Sequence, residues 1–280
     1  MEPWIPHFAA SAPLQSSFGT VAPLFAGEGW PALSLLQQAV RQAGLHTASG
    51  LPLQLVPPGN SSDDLGYEMR LHLRGELECR EHNWHDFFNA LVWLAFPRAK
   101  AALNARHAQV LAASRGAAGP GRGAVRDALT LFDESGVIVL SADAGLLQLL
   151  RDFQWRTLFW TRRADVMRNM RFVLFGHALC EKMLKPYKGI TGHGLLLDVD
   201  REFLELPPPA QLVQMDARIT AQLTDPRGLQ RTAQLAPVPV LGVPGWCADN
   251  EAAAYYDDQA YFRPGRRRDR MPRHETVVVK

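Results

Sequence analysis

The chain has 280 residues, of which 47% are apolar, so it is long enough for one elaborated domain with a real core. Its longest apolar runs, near residues 145–150 and 172–175, are far too short to cross a bilayer, and its first residues lack a secretory signal pattern. Cys79, Cys180 and Cys247 lie far apart and form no C-x-x-C pair. This spacing argues against disulfides and a cysteine-based zinc site, and it favours a cytoplasmic location.

Basic residues are concentrated at the C-terminal end, although the whole chain has a net charge of only +2. Residues 263–280 contain seven Lys or Arg against two acids, a balance of +5 that leaves about −3 for the rest of the chain. We expect these residues to form a basic, disordered tail on a single domain, residues 1–262. Such a tail is typical of nucleic-acid contact and equally of a solvated end without a partner. The arginines that would make the contact are Arg266, Arg267, Arg268 and Arg270.

The first half of the chain predicts short elements separated by Pro and Gly. Residues 32–43 have the apolar spacing of a helix, and residues 53–56 are typical of a strand. The alternation of apolar and polar residues over 67–80 predicts a β-hairpin. A helical segment follows, and Pro97 is expected to break it and begin a second helix. A Gly/Ala/Arg stretch at about residues 112–124 predicts a flexible loop.

The second half predicts another hairpin and several helices. Residues 129–140 contain two β-rich runs around Asp-Glu-Ser-Gly, which is typical of a hairpin turn. Residues 144–185 are helical in composition, a strand is expected at 192–199, and a helix at 210–223. Hairpins and helices in blocks, without strict alternation of strand and helix, predict an α+β fold with small antiparallel strands packed against helices.

The densest group of potential ligands is His-Asn-Trp-His-Asp, which begins at His82. Asn83 fits the N-cap of a helix, and Asp86 in the first turn could reach back to the N-cap amide, a variant of the capping box. This structural interpretation leaves His82, His85 and Asn89 unexplained. His85 and Asn89 share one helix face, so the group could hold a divalent cation or place a general base near a phosphate at the helix N-terminus.

A second candidate pair is His177 and Glu181, spaced i, i+4 on a segment that is predicted to be helical and apolar almost all round. One interpretation is a core hydrogen bond between imidazole and carboxylate. The other is that the pair meets the His85 group and completes a metal or acid–base site. The metal ligands would then be His82, His85, Asp86, His177 and Glu181. The catalytic residues would be His85, Asp86, Asn89, His177 and Glu181.

Other polar patterns are more simply structural. Asp133 and Glu134 fit the turn of the predicted hairpin, and Lys100, Asn104 and His107 fit a solvated face of a helix.

Arginines and aromatic residues also alternate over residues 155–171, which could bind a phosphate backbone and stack bases. An amphipathic helix that packs its aromatic residues inward predicts the same pattern, and we favour packing. Residues 255–263 juxtapose two acids with aromatic residues, for which we favour a structural clasp.

Four segments are distinctive in combination: NWHDFFNALVWLAFPRAKAALNARH, LTLFDESG, FGHALCEKMLKP with GITGH, and YYDDQAYFRPGRRR. With these segments the chain resembles the bacterial domain-of-unknown-function family 3025 over roughly residues 50–268. The resemblance implies no established activity, substrate or cofactor, and it implies that the motifs belong to one unit.

The leading hypothesis from the residues themselves is a metal-dependent hydrolase of phosphoesters, with nucleic acid among the candidate substrates. The alternative is a non-catalytic protein that binds nucleic acid or a ribonucleoprotein through the arginine-rich tail. A purely structural protein with neither role is the third hypothesis.

Overall fold

The structure is a computed structural model that describes residues 2–59, 65–114 and 122–265. The helices are α1 (Ala12–Phe18), α2 (Leu33–Gln42), α3 (Tyr67–Arg74), α4 (Trp84–Ala95), α5 (Pro97–Ser114), α6 (Arg122–Ser135), α7 (Ala144–Arg151), α8 (Arg163–Asn169), α9 (His177–Lys182), α10 (Arg201–Glu205) and α11 (Pro208–Thr224). The strands are β1 (Gln54–Val56), β2 (Glu76–Glu78), β3 (Gly136–Ser141), β4 (Met170–Leu174), β5 (Thr191–Asp198) and β6 (Ala236–Pro239). A π-helical turn, Thr157–Thr161, precedes α8.

The larger sheet is mixed and has the strand order β4-β3-β5-β6. Strand β3 pairs antiparallel with β4 and parallel with β5, and β6 pairs antiparallel with β5. Every residue of β3 is buried, as expected of a strand that is covered on both faces. Strands β1 and β2 form a separate parallel pair. The fold is therefore α+β, as predicted, in a single domain.

The predicted hairpin over residues 67–80 is wrong, because residues 67–74 form helix α3 and β2 pairs in parallel with β1. The alternating apolar residues do not lie on one buried face, since Leu71 is buried and Leu73 is exposed. Gly75 has a φ of 73° and ends α3 with a hydrogen bond from its N–H to the carbonyl of Leu71. A glycine in the left-handed conformation is a common helix end, and glycine is also typical of hairpin turns, so the residue itself does not distinguish the two structures.

The second predicted hairpin is also wrong, because α6 runs through Asp-Glu-Ser and passes directly into β3. Ala128, Leu129 and Phe132 are fully buried and have the spacing of one helix face. In the segment predicted to be helical, residues 170–174 form strand β4. Short apolar runs fit a strand and a buried helix equally well, and pairing with β3 decides here.

The N-terminal segment packs on the start of α4. The Trp4 ring stacks on the Trp84 ring with 4.9 Å between centroids, and Phe8 and Trp30 pack around the same tryptophan. The backbone N–H of Trp84 donates to the carboxylate of Glu2 at 2.8 Å. These contacts fix the first turn of α4, which carries the His-Asn-Trp-His-Asp motif.

Part of two predictions lies outside the described residues. Helix α5 ends at Ser114 and α6 begins at Arg122, so most of the predicted loop at about 112–124 falls between them, outside the description. The basic tail is described only as far as Gly265. In the described part of the chain, no helix has the length and apolar character needed to cross a membrane.

Candidate functional site

Two histidines that are 92 residues apart meet at the N-terminal ends of two helices. His85 lies in the first turn of α4 and His177 is the first residue of α9. Their Nε2 atoms are 3.0 Å apart, and their rings meet edge to face with 4.4 Å between centroids. The structure thus brings the two candidate motifs into direct contact.

Glu181, one turn further along α9, contacts the other nitrogen of His85. Its Oε2 lies 3.2 Å from Nδ1 of His85. Both members of the predicted His177–Glu181 pair therefore contact His85, and the interpretation as a core hydrogen bond between the two is wrong. His85 is held between them, with one ring nitrogen facing an imidazole and the other facing a carboxylate.

Two further carboxylates come from the C-terminal end of α6, where the sequence predicted only a hairpin turn. Oε2 of Glu134 lies 3.6 Å from Nε2 of His177, and Oδ2 of Asp133 lies 3.8 Å from Nδ1 of the same ring. His85, Glu134 and His177 each offer one ligand atom, and these atoms all lie within 4.8 Å of one another. The group is the one cluster of potential metal ligands found among the described residues.

A close backbone approach places these carboxylates beside His177. The N–H of Gly176 donates to the carbonyl of Gly136 at 2.9 Å, which joins the end of α6 to the start of α9. A Cβ atom at Gly176 would lie 2.3 Å from the backbone nitrogen of Gly136 and 2.4 Å from that of Ser135. Only glycine fits at this junction. The lack of a side chain at Gly176 lets the end of α6 approach the start of α9.

The polar side chains of α5 were predicted to face solvent, and this prediction is wrong. Lys100, Asn104 and His107 are buried. Nζ of Lys100 donates to Oδ1 of Asp133 at 2.5 Å, and Nδ2 of Asn104 donates to Oε2 of Glu68 at 2.6 Å. The prediction failed because α5 is rich in alanine and packs against several helices, so its sequence does not mark a solvated face.

Burial and neighbouring charges shift the pKa values of this group in opposite directions. Burial lowers the pKa of His177 to about 4, although the Asp133 carboxylate acts to raise it. Burial also raises the pKa of Glu134, and it raises that of Glu68 to about 7. Burial acts to raise the pKa of Asp133 as well, but the Lys100 ammonium and His177 outweigh it, so that pKa is lowered. Asp133 is therefore ionised at neutral pH while buried beside a neutral imidazole.

Replacing Glu68 with glutamine is expected to reduce the pH dependence of stability between about pH 5 and pH 7. The folded-state pKa of about 7 lies above the ordinary value of 4.5, so the folded protein holds this proton more tightly. The resulting stabilisation is complete below pH 4.5 and is lost as the pH rises through 7. Urea unfolding at pH 5 and pH 7 measures it, with the exposed Glu205→Gln as control. Equal pH dependence in the wild type and Glu68→Gln would contradict the prediction.

Two residues of the predicted site lie apart from the ligand group. His82 has a φ of 55°, and its ring packs at 5.9 Å from that of Trp30. Asn83 is the N-cap, as predicted, and its Oδ1 accepts from the N–H of Asp86. The carboxylate of Asp86 accepts from the backbone and guanidinium of Arg80, so the predicted return bond to the N-cap amide is replaced by this contact. The carboxylate of Asp86 is thus already engaged.

Asn89, the fifth predicted catalytic residue, lies one turn beyond His85 on α4 and is buried. Its Nδ2 donates to the hydroxyl of Tyr67 at 2.9 Å. Its catalytic role stays a prediction.

The arginine and aromatic residues of 155–171 fit the packing interpretation. Trp155 and Phe159 are buried. Three arginines form ion pairs with acids: Arg156 with Asp257, Arg162 with Asp165, and Arg163 with Glu251.

The segment of residues 255–263 acts as a clasp away from the site. The hydroxyl of Tyr261 donates to the carbonyl of Ile190, directly before β5, and Asp258 pairs with Lys188. The four tail arginines lie outside the described residues, so nucleic-acid contact through them stays a prediction.

Comparison with known proteins gives a family for the chain without giving it an activity. Residues 53–266 match the family described as "Protein of unknown function (DUF3025)". This range contains all the residues of the ligand group and the carboxylates that surround it. No curated protein and no solved structure matches the chain. Because the match covers well over half of its length, the chain belongs to the DUF3025 family of proteins of unknown function.

Proposed function

We propose that the chain is a hydrolase that depends on a divalent metal ion, held by Nε2 of His85, Nε2 of His177 and the carboxylate of Glu134. The observation that carries the proposal is the paired arrangement of the two histidines. Each turns Nε2 to a shared space. Nδ1 of His85 contacts the carboxylate of Glu181 at 3.2 Å, and Nδ1 of His177 faces the carboxylate of Asp133 at 3.8 Å without a hydrogen bond. Metal-bound histidines commonly have a carboxylate on their second nitrogen, which fixes the ring and its tautomer.

The hydrogen-bonding capacity of the two rings supports a cation between them. If each Nδ1 carries the hydrogen that faces its carboxylate, the two Nε2 atoms present lone pairs to each other at 3.0 Å. If instead one ring carries its hydrogen on Nε2, the Nε2–Nε2 contact becomes a hydrogen bond, but the Nδ1 of that ring then turns a lone pair toward a carboxylate. A cation between the two Nε2 atoms removes both repulsions. A metal ion supplies it without protonating a ring.

The distances and exposure suit a metal site with an open position. Ligand atoms on a four-coordinate ion with bonds of about 2.0–2.1 Å are about 3.3–3.4 Å apart. The separations here, 3.0 Å between the Nε2 atoms and 3.6 Å from His177 to Glu134, lie on either side of that value. Three protein ligands leave one position for water, as in catalytic zinc sites. The side chains of His85 and Glu134 are 33% and 40% exposed, so solvent reaches it.

The charge of the group also favours a divalent ion. Asp133, Glu134 and Glu181 contribute three carboxylates around the two histidines, and Lys100 contributes one buried ammonium. With neutral rings and ionised carboxylates, these six side chains carry a net charge of −2. Carboxylates packed this closely are stable when paired or when they coordinate a metal, so an ion of charge +2 fits.

The arrangement indicates which residues would act in hydrolysis. A divalent ion held by these three ligands would lower the pKa of a water molecule at its open position. The side chain of Glu181 is 36% exposed, and its carboxylate contacts His85 and can accept a proton. The N-terminal end of α4 carries positive dipole charge toward the site. That charge favours an anionic substrate, so phosphoesters are the proposed substrate class.

The experiment is a hydrolysis assay on protein stripped with a chelator and reloaded with Zn²⁺, Mn²⁺ or Fe²⁺. The substrates are p-nitrophenyl phosphate, bis-p-nitrophenyl phosphate, a single-stranded oligonucleotide and p-nitrophenyl acetate. We expect metal-dependent cleavage of a phosphoester that falls by more than about 100-fold in Glu134→Gln, since even partners outside the ligand set change activity 10- to 100-fold. The exposed Glu205→Gln is the matched control. Absence of cleavage above the metal-free blank for every metal would contradict the proposal, and unchanged activity in Glu134→Gln would exclude this site.

A further inference from the structure

We infer that Lys100 and Asp133 are positioning residues of this site, which hold His177 with its Nε2 directed at the shared space. The inference rests on the proposed function and names a role within it. Lys100 is 3% exposed. An ammonium buried to that extent is costly unless it is paired, so its position calls for a physical reason.

Asp133 on α6 lies between Lys100 on α5 and His177 at the site. Nζ of Lys100 donates to one oxygen of Asp133 at 2.5 Å, and the other oxygen of Asp133 lies 3.8 Å from Nδ1 of His177. At that distance the carboxylate acts as a nearby negative charge on the ring nitrogen, since a direct hydrogen bond would be shorter. A negative charge beside Nδ1 favours the tautomer with hydrogen on that nitrogen, which leaves the Nε2 lone pair for a ligand bond.

The surroundings keep Asp133 in place. Glu68, Asn104 and His107 pack in the same polar cluster between α3, α5 and α6, and Asn104 donates to Glu68 at 2.6 Å. The carboxylate that contacts His85 differs from Asp133, because the side chain of Glu181 is partly exposed to solvent. The buried ammonium of Lys100 therefore acts, through Asp133, on His177, the more deeply buried of the two histidines.

Stability alone does not explain the pair. A buried ion pair is often replaced by apolar side chains of similar volume with no loss, because removing both charges from water costs as much as their attraction returns. Because Asp133 lies beside His177, a candidate ligand, the pair supplies a fixed negative charge near Nδ1 of that ring, which apolar residues cannot supply. We therefore expect that removing both charges leaves the fold intact and changes the tautomer of His177.

The test compares Lys100→Met/Asp133→Leu, which removes both charges, with wild-type protein. Histidine ¹⁵N NMR of the metal-free protein reports the tautomer, and His177→Gln identifies the His177 signal. We expect hydrogen on Nδ1 in the wild type and a shift toward Nε2 in the double variant. Zn²⁺ affinity, measured by competition with a chromophoric chelator, is expected to fall 10- to 100-fold, the usual effect of losing such a partner.

The matched control is Asp216→Asn. Asp216 is also a buried carboxylate, but it accepts from the backbone N–H groups of Arg98 and Ala99 at the start of α5, away from the histidines. This control is expected to lower stability without changing the tautomer or the Zn²⁺ affinity. Should the double variant not fold, Asp133→Asn alone, which keeps the shape of the carboxylate, is compared in the same way.

The outcomes separate the inference from the proposed function. A folded double variant with the wild-type tautomer and Zn²⁺ affinity would overturn the positioning role. A wild-type protein that binds no metal would overturn the proposed function, while the NMR comparison would still decide whether the pair sets the tautomer of His177.

Discussion

Alanine in place of His85 or His177 is expected to reduce Zn²⁺ affinity by more than about 100-fold, because each substitution removes one of three ligand atoms from a group within 4.8 Å. Competition with a chromophoric chelator on stripped protein measures the change. His46→Ala, an exposed histidine bonded only locally to the Gly44 carbonyl, is the matched control and is expected to change nothing.

The same measurement separates two ligand sets. The sequence alone placed His82 and Asp86 among the ligands, whereas the structure packs His82 against Trp30 and engages Asp86 with Arg80. His82→Ala is therefore expected to leave Zn²⁺ affinity within about threefold of the wild type, well below the effect of removing a ligand. A loss at His82 equal to that at His177 would favour the sequence-based set over the one seen here.

Alanine at Gly176 is expected to destabilise the protein by about 3 kcal/mol, the upper part of the range for overpacked sites. The added Cβ would meet three backbone atoms of Ser135 and Gly136 at 2.3–2.5 Å, and backbone cannot move aside as a flexible side chain does. The φ of Gly176 is −65°, which suits any residue, so the effect is steric. Urea unfolding gives the free energy of unfolding.

The control for this substitution is Gly29→Ala, since no atom lies within 4 Å of a Cβ at Gly29. It is expected to change the free energy of unfolding by less than about 1 kcal/mol. Gly176→Ala should also weaken Zn²⁺ binding in the folded protein, because the junction holds Glu134 beside His177. Wild-type stability in Gly176→Ala would show that the junction has room for a side chain.

Two of the three ligands, His85 and His177, could be found from the sequence, and the third, Glu134, could not. His85 and His177 stood out because imidazoles sit poorly in apolar segments, and Asn83 was identifiable as a cap from local rules alone. Asp133 and Glu134 do not stand out as site residues, because the sequence of their segment predicts a hairpin turn there. One available signal is that a helix through Ala128 and Phe132 ends with two acids in its last turn, where the dipole disfavours them. Acids at the C-terminal end of a helix do not stabilise it, so their presence there indicates that they serve another purpose, such as contact with a site.

The role of Lys100 was beyond local rules for a different reason. Its neighbours on α5 are mostly alanines, so the sequence does not show which faces of the helix are covered. Its burial depends on α3 and α6 packing on α5, and those contacts join residues far apart in the chain. The parallel pairing of β3 with β5 is of the same kind, since nothing local in β3 selects its partner.

Anomalous X-ray diffraction from crystals grown with Zn²⁺ would show directly whether His85, Glu134 and His177 hold one divalent ion. We expect one strong peak about 2.0–2.1 Å from the Nε2 atoms of both histidines, and about 2.0–2.2 Å from a carboxylate oxygen of Glu134. A peak bound by other residues, or a clear map with no peak between the two rings, would contradict this expectation.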